Sequence, residues 1–252
     1  MAQIDLARRQ LIERRDLHLR ALAGRLRDER VNAVLRAVLL DTPPGHIPED
    51  DMRYAIDLGL VRSGPNRRLE VSNPLYREVL LDALTFTPLA SIPRQNDPVW
   101  MTAGRLDPDK LLKVFADFWR QHGSALMATT DFPELAPHIV VLAFLQRVAN
   151  GGGWVNREHP AENGRMDVYV ELGDVKLAVE LKVWRDKQAD PANDGMEQLE
   201  RYMRHIDTAH GWLIVFDRRA GQEKRVDRMT VEAATSPRGL TVALLRAILR
   251  SI

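Results

Sequence analysis

The stretch that decides the fold runs from Gly164-Arg165-Met166-Asp167, through Val179-Glu180-Leu181-Lys182-Val183, to Gln198-Leu199-Glu200-Arg201-Tyr202. Residues 175–184 alternate as a strand does. Leu177, Val179, Leu181 and Val183 fall on one face, and Ala178, Glu180, Lys182 and Trp184 fall on the other. Its flanking residues are apolar enough that the strand is expected at the centre of a sheet. A carboxylate and an ammonium there are costly to desolvate unless they pair with each other or bind a metal. A preceding strand, 165–172, is expected to fold back on it through the turn Leu172-Gly173-Asp174, which brings Asp167 to the level of Glu180. Gly164, just before, permits a close backbone approach. A helix over about 194–208 then carries Gln198 and Tyr202 four residues apart.

Two readings of Glu180 and Lys182 stand side by side. In the first they form a structural ion pair, which Glu-x-Lys on its own favours. In the second, Asp167 and Glu180 together with a backbone carbonyl and waters form an all-oxygen, octahedral site. Such a site suits Mg²⁺ or Mn²⁺ and not Zn²⁺. Lys182, beside it, orients an attacking water and stabilises charge on a scissile phosphate, while the metal polarises the phosphoryl oxygen. The second reading points to metal-dependent hydrolysis of phosphodiesters.

Working outward, further strands are expected at 154–158 and 211–217, with another near Met229–Ala233 and a final helix or strand from Thr241. Asp107-Pro108 opens a helix to about Gln121 with a broad apolar face. A second helix runs from about Pro133-Glu134 to Ala149 and stops at Gly151-Gly152-Gly153. The expected C-terminal unit, 107–252, is therefore α/β with a mixed sheet flanked by helices. Residues 91–106, with Pro93, Pro98 and Gly104, read as a linker.

An α-helical, winged-helix-like domain is expected over 1–90. Residues 3–40 read as one helix, with nine Arg and no Lys among 1–40. After Pro43-Pro44-Gly45, acids at Glu49, Asp50 and Asp51 open a second helix. Leu60–Arg62 and Leu69–Val71 flank the turn Gly64-Pro65-Asn66, and Asn73-Pro74 opens a third helix. The order helix, helix, hairpin, helix suits a winged helix. Arg67 and Arg68 at the hairpin tip are either phosphate contacts or simply solvated charges.

Composition excludes several classes. With no cysteine, disulfides, thiolate zinc sites and cysteine nucleophiles are ruled out. No Gly-x-x-x-x-Gly-Lys loop exists, so the chain is not an ATPase of that type. A net charge of +1 leaves nucleic acid open, because a basic face can hide in a neutral total. The longest apolar run, Ile139–Leu145, is far short of the roughly 20 residues a membrane helix needs. With a charged N-terminus and no leader pattern, the expectation is a cytoplasmic protein without membrane contact.

Asp, then Glu-x-Lys in the next strand, then Gln-x-x-x-Tyr in the following helix resembles the PD-(D/E)XK nuclease superfamily in its RecB-like branch. The resemblance implies a restriction-endonuclease-like sheet. It implies that Asp167 and Glu180 bind metal, that Lys182 is catalytic, and that Gln198 and Tyr202 line the site and help hold substrate. The superfamily often adds an acid on the helix before the first strand. Glu134 matches it, although an acid there also suits a helix N-terminus. Arg157 and Arg165 are candidate phosphate contacts. Met166 stands where the superfamily's name has proline.

Pro137-His138, the run Phe144–Val148 and Ile214-Val215-Phe216-Asp217-Arg218 are similar to the nuclease-like part of a group of bacterial AAA-type ATP-binding proteins. Asp57–Arg62 and Asn73–Glu78 are similar to the winged-helix segment of the same group. The ATPase domain of that group has no counterpart in this chain. These resemblances imply a Mg²⁺- or Mn²⁺-dependent nuclease, acting on DNA before RNA, with a separate AAA-type ATPase as a possible partner. The alternative is an inactive nuclease-fold module that binds nucleic acid or such a partner. A winged-helix regulator ranks last, since no helix rich in Arg, Asn and Gln offers itself for base reading.

Overall fold

The computed structural model of the chain describes residues 24–26, 28–39, 47–64, 69–92, 99–128, 135–149, 154–156, 168–221 and 229–249. Its contacts divide them into two compact units, the first reaching Phe86 and the second beginning at Thr87. No helix among the described residues is long and apolar enough to cross a membrane.

In the first unit, α1 (Glu29–Leu39) buries Val31, Val34, Leu35 and Val38, the i, i+3, i+4, i+7 stripe of an amphipathic helix. The second helix, α2 (Glu49–Asp57), follows Pro48 with three acids in its first turn, where the helix dipole favours them. It ends at Gly59, whose φ of +70° suits glycine. The antiparallel strands β1 (Val61–Ser63) and β2 (Leu69–Val71) pair Val61 with Val71, and Arg62 bridges Glu70 at 3.1 Å. Asn73 then accepts from the Tyr76 backbone N–H at 2.9 Å, which caps α3 (Pro74–Ser91) with proline at its first position. The expected order of helix, helix, hairpin and helix is present, but the one helix expected over 3–40 is interrupted by a turn at Leu26 and a bend at Asp28 before α1.

The segment 91–106 carries a small hairpin where a linker is expected. Strand β3 (Met101–Thr102) pairs with β4 (Arg105–Leu106), and Trp100 and Leu106 are buried. Burial of these two side chains anchors the hairpin, although Val99, Thr102, Ala103, Gly104 and Arg105 are exposed. Asp107 caps α4 (Pro108–Phe118), accepting from the Lys110 N–H at 3.1 Å and the Thr102 hydroxyl at 2.8 Å. These bonds hold its carboxyl below the usual range. The helix expected to reach Gln121 instead widens into a π-helical turn, Trp119–Gly123, and continues as α5 (Ser124–Ala128). A Cβ at Gly123 would meet the Trp119 ring at 3.0 Å, so the glycine lets this turn close on the indole.

Helix α6 (Ala136–Ala149) is buried on nearly all sides. The six strands are β5 (Trp154–Asn156), β6 (Val168–Leu172), β7 (Val175–Trp184), β8 (His210–Asp217), β9 (Met229–Thr235) and β10 (Thr241–Ile248). They form one mixed sheet in the order β5-β6-β7-β8-β10-β9. The β5–β6, β6–β7 and β9–β10 pairs are antiparallel, while β7–β8 and β8–β10 are parallel. Helix α7 (Ala192–His205) joins β7 to the parallel β8, as such a pair requires.

The sheet is covered on both faces. On one, Trp212 and Phe216 of β8 pack on Phe115 and Trp119 with ring centroids 5.8 and 4.9 Å apart. Phe144 of α6 meets Phe115 at 5.2 Å. On the other, α7 lays Met196, Leu199, Tyr202 and Met203 on Ala178, Leu213, Val215, Val242 and Leu244. The chain is thus mixed α/β.

Candidate active site

Strand β7 is third of the six, with β6 and β8 hydrogen-bonded on either side, so its centre is dry. Glu180 is 2 % exposed there and pairs in register with Leu213. Lys182, two residues on and on the same face, is opposite Val215. The Lys182 Nζ lies 2.6 Å from Glu180 Oε1 and also donates to the Gln198 side-chain oxygen. A buried carboxylate, a nearly buried ammonium and a neutral amide acceptor thus form one connected group. The pair satisfies the desolvation demand that the alternation of β7 implies.

Gln198 reaches Lys182 because α7 crosses directly over this part of the sheet. Tyr202, one turn further, is 8 % exposed and lies in the apolar cluster between α7 and the sheet. It supports the helix that carries Gln198. Trp184, also on this face, is half-buried and packs on the same cluster, with the Arg219 guanidinium 3.3 Å from its ring centroid. Arg219 is held by Asp217 through Nε at 2.9 Å and Nη2 at 2.8 Å. That pairing raises its already high pKa. Arg246 bridges Asp190 at 2.8 Å and lies 5.7 Å from the same indole.

Asp167, Glu134, Arg157, Arg165, Arg67 and Arg68 lie outside the described residues. Asp167 immediately precedes Val168, whose register partner is Val179, the neighbour of Glu180. Among the described residues no group of three or more His, Asp or Glu side chains is placed to hold a metal ion. The carboxylate they place beside Lys182 and Gln198 is Glu180, which the Lys182 ammonium holds.

Two features carry no strong sequence signal. His138, in the first turn of α6, is 7 % exposed, and its Nδ1 has no hydrogen-bond partner. Burial, then the charges of Arg185, Lys182 and Arg218, push its pKa down to about 4, so it is neutral near pH 7. The second feature is Gly195, in α7, over the stem of Lys182. A glycine inside a helical pattern is the one hint the sequence offers of a close approach there.

No family model, no curated protein and no solved structure matches this chain.

Proposed function

We propose that the chain is a Mg²⁺- or Mn²⁺-dependent nuclease that hydrolyses phosphodiester bonds, in DNA before RNA. The observation that carries the reading is the group Glu180, Lys182 and Gln198, held on a central strand and the helix packed against it. The resemblance to the PD-(D/E)XK superfamily adds Asp167 and Glu134 as further carboxylates, and it gives the six-stranded sheet a restriction-endonuclease-like reading. It also supports a winged helix in the first unit, where Arg67 and Arg68 would meet phosphates. A separate AAA-type ATPase partner and a cytoplasmic location belong to the same proposal.

Glu180 and Asp167 would hold the cation, which when bound supplies positive charge to the phosphoryl oxygen. Lys182 works through its ammonium. Of its three N–H donors, one faces Glu180 and one faces Gln198, which leaves the third for the attacking water or a phosphate oxygen. Gln198 and Glu180 fix where that donor points, so it is oriented before substrate arrives. Tyr202 holds α7 against the sheet.

The test is cleavage of single- and double-stranded DNA and of RNA with Mg²⁺, Mn²⁺ or EDTA. The wild type is compared with Lys182→Ala and Asp167→Ala. Metal-dependent cutting that falls by about a hundredfold or more in both folded variants supports the reading. A wild type that cuts none of these substrates with either metal sinks it. The buried Glu180–Lys182 pair is also what a purely structural ion pair looks like. That outcome would therefore leave an inactive nuclease-fold module that binds nucleic acid or an ATPase.

A further inference from the structure

Gly195 is the fourth residue of α7, and glycine is the poorest helix former after proline. It is not among the residues with positive φ, so its backbone conformation does not require glycine. Space does. A Cβ at position 195 would meet Leu213 Cδ1 at 2.7 Å, Lys182 Cγ at 3.2 Å and Leu213 Cδ2 at 3.3 Å. Leu213 is the register partner of Glu180 on the neighbouring strand, so this contact falls beside the charged group. Gln198 is three residues along the same helix face and accepts the Lys182 ammonium. The lysine stem therefore runs beneath Gly195, and its head is caught between Gln198 and Glu180.

We infer that Gly195 is a positioning residue, whose missing side chain seats the Lys182 stem so that the ammonium meets Glu180 and Gln198 together. Its importance for catalysis rests on the nuclease reading, but the geometry it sets does not. A side chain at 195 presses first on Leu213 Cδ1, a terminal methyl that can rotate away. It then presses on Lys182 Cγ, which has to give by a few tenths of an ångström and so shifts the stem that carries Nζ to its two acceptors.

The same interface contains an internal control. A Cβ at Gly211 of β8 would press on the Sδ of Met203 and lie 3.3 Å from Leu199 Cδ2, both on α7. Gly211→Ala therefore strains the packing of the same helix without touching Lys182. The experiment measures acetylation of Lys182 by an amine-reactive ester on the metal-free, substrate-free full chain, read by peptide mass spectrometry. Wild type is compared with Gly195→Ala and Gly211→Ala, each checked for folding by circular dichroism. Lys182 is expected to react about tenfold faster in Gly195→Ala, the scale of losing one charge-assisted hydrogen bond, and at the wild-type rate in Gly211→Ala.

Equal rates in wild type and Gly195→Ala, or equal acceleration in both variants, overturns the inference. If Gly195→Ala does not fold, adding Leu213→Ala removes the shortest contact and keeps the one to Lys182, with the same expectation. Failure of that double variant to fold also overturns it, because the lysine stem would then not be the part that gives way. Because the readout needs neither metal nor substrate, an inactive wild type would sink the nuclease reading and leave this result standing.

Discussion

Lys182 Nζ lies 2.6 Å from Glu180 Oε1 on the central strand of the sheet, with the two side chains 12 % and 2 % exposed. Two opposite charges so far from water are stable only together. Lys182→Ala removes the ammonium from beside a carboxylate that cannot be rehydrated in place, and a loss of about 3 kcal/mol is expected in urea denaturation. Replacing both, as Glu180→Gln with Lys182→Met, is expected to stay within about 1 kcal/mol of wild type, because the uncompensated charge is gone. Equal losses in the single and double variants would count against the pair as the source.

His138 ties stability to pH. Its pKa is about 4 in the folded chain against an ordinary 6.5, so the unfolded state takes up a proton that the folded state refuses. The stabilisation is complete above pH 6.5 and is lost as pH falls from 6.5 towards 4. At full depression it amounts to roughly 3 kcal/mol. His138→Leu should flatten this part of the curve of stability against pH, measured by chemical denaturation at intervals from pH 7.5 to 4. An unchanged slope would show that other groups carry it.

Arg219 is clamped by Asp217, 9 % exposed at its side chain, and lies over the Trp184 ring. Arg219→Met keeps most of the stem but removes two guanidinium hydrogen bonds and the cation above the indole. A cost of about 1–2 kcal/mol is expected. Arg219→Lys should recover little of it, since an ammonium cannot reproduce the bidentate contact. Full recovery by lysine would show that charge alone matters.

Phe115 is fully buried and lies within 6.5 Å, centroid to centroid, of Phe118, Trp119, Phe144 and Trp212. Phe115→Ala would open a cavity between the helices and the sheet, with an expected loss of about 3–5 kcal/mol. Phe115→Leu, closer in volume, should cost less than half of that in the same thermal or urea melt. A small effect from the alanine variant would mean that the surrounding rings collapse into the space.

Much of the second unit is legible before any coordinates. The strand 175–184 is expected and observed over the same residues, because an apolar residue stands at every second position from Val175 to Val183. Helix α7 and strands β8 and β9 fall within a few residues of their expected places. The element from Thr241, open between helix and strand, is a strand because it pairs with both β8 and β9, which local pattern cannot reveal. The π-helical turn at Trp119–Gly123 is likewise hidden, since an apolar face of period 3.6 continues through it. Of the site, Glu180 and Lys182 are readable as a same-face pair from their spacing, and Gln198 joins them in the sequence only through the resemblance. Tyr202 is readable as a member of the pattern, but its place in the apolar cluster is not.

Sequence by itself determined which residues alternate, which face of β7 carries charge, and that the helix after it holds Gln198 and Tyr202 one turn apart. These are local properties, set by periods of 2 and 3.6 residues. Tertiary structure alone decided that β7 lies inside a six-stranded sheet, that β10 enters between β8 and β9, and that α7 comes close enough for Gln198 to meet Lys182. Those depend on which surfaces bury each other. A bare glycine at 195 and the burial of Glu180 at 2 % take their meaning only from the neighbours that packing brings to them.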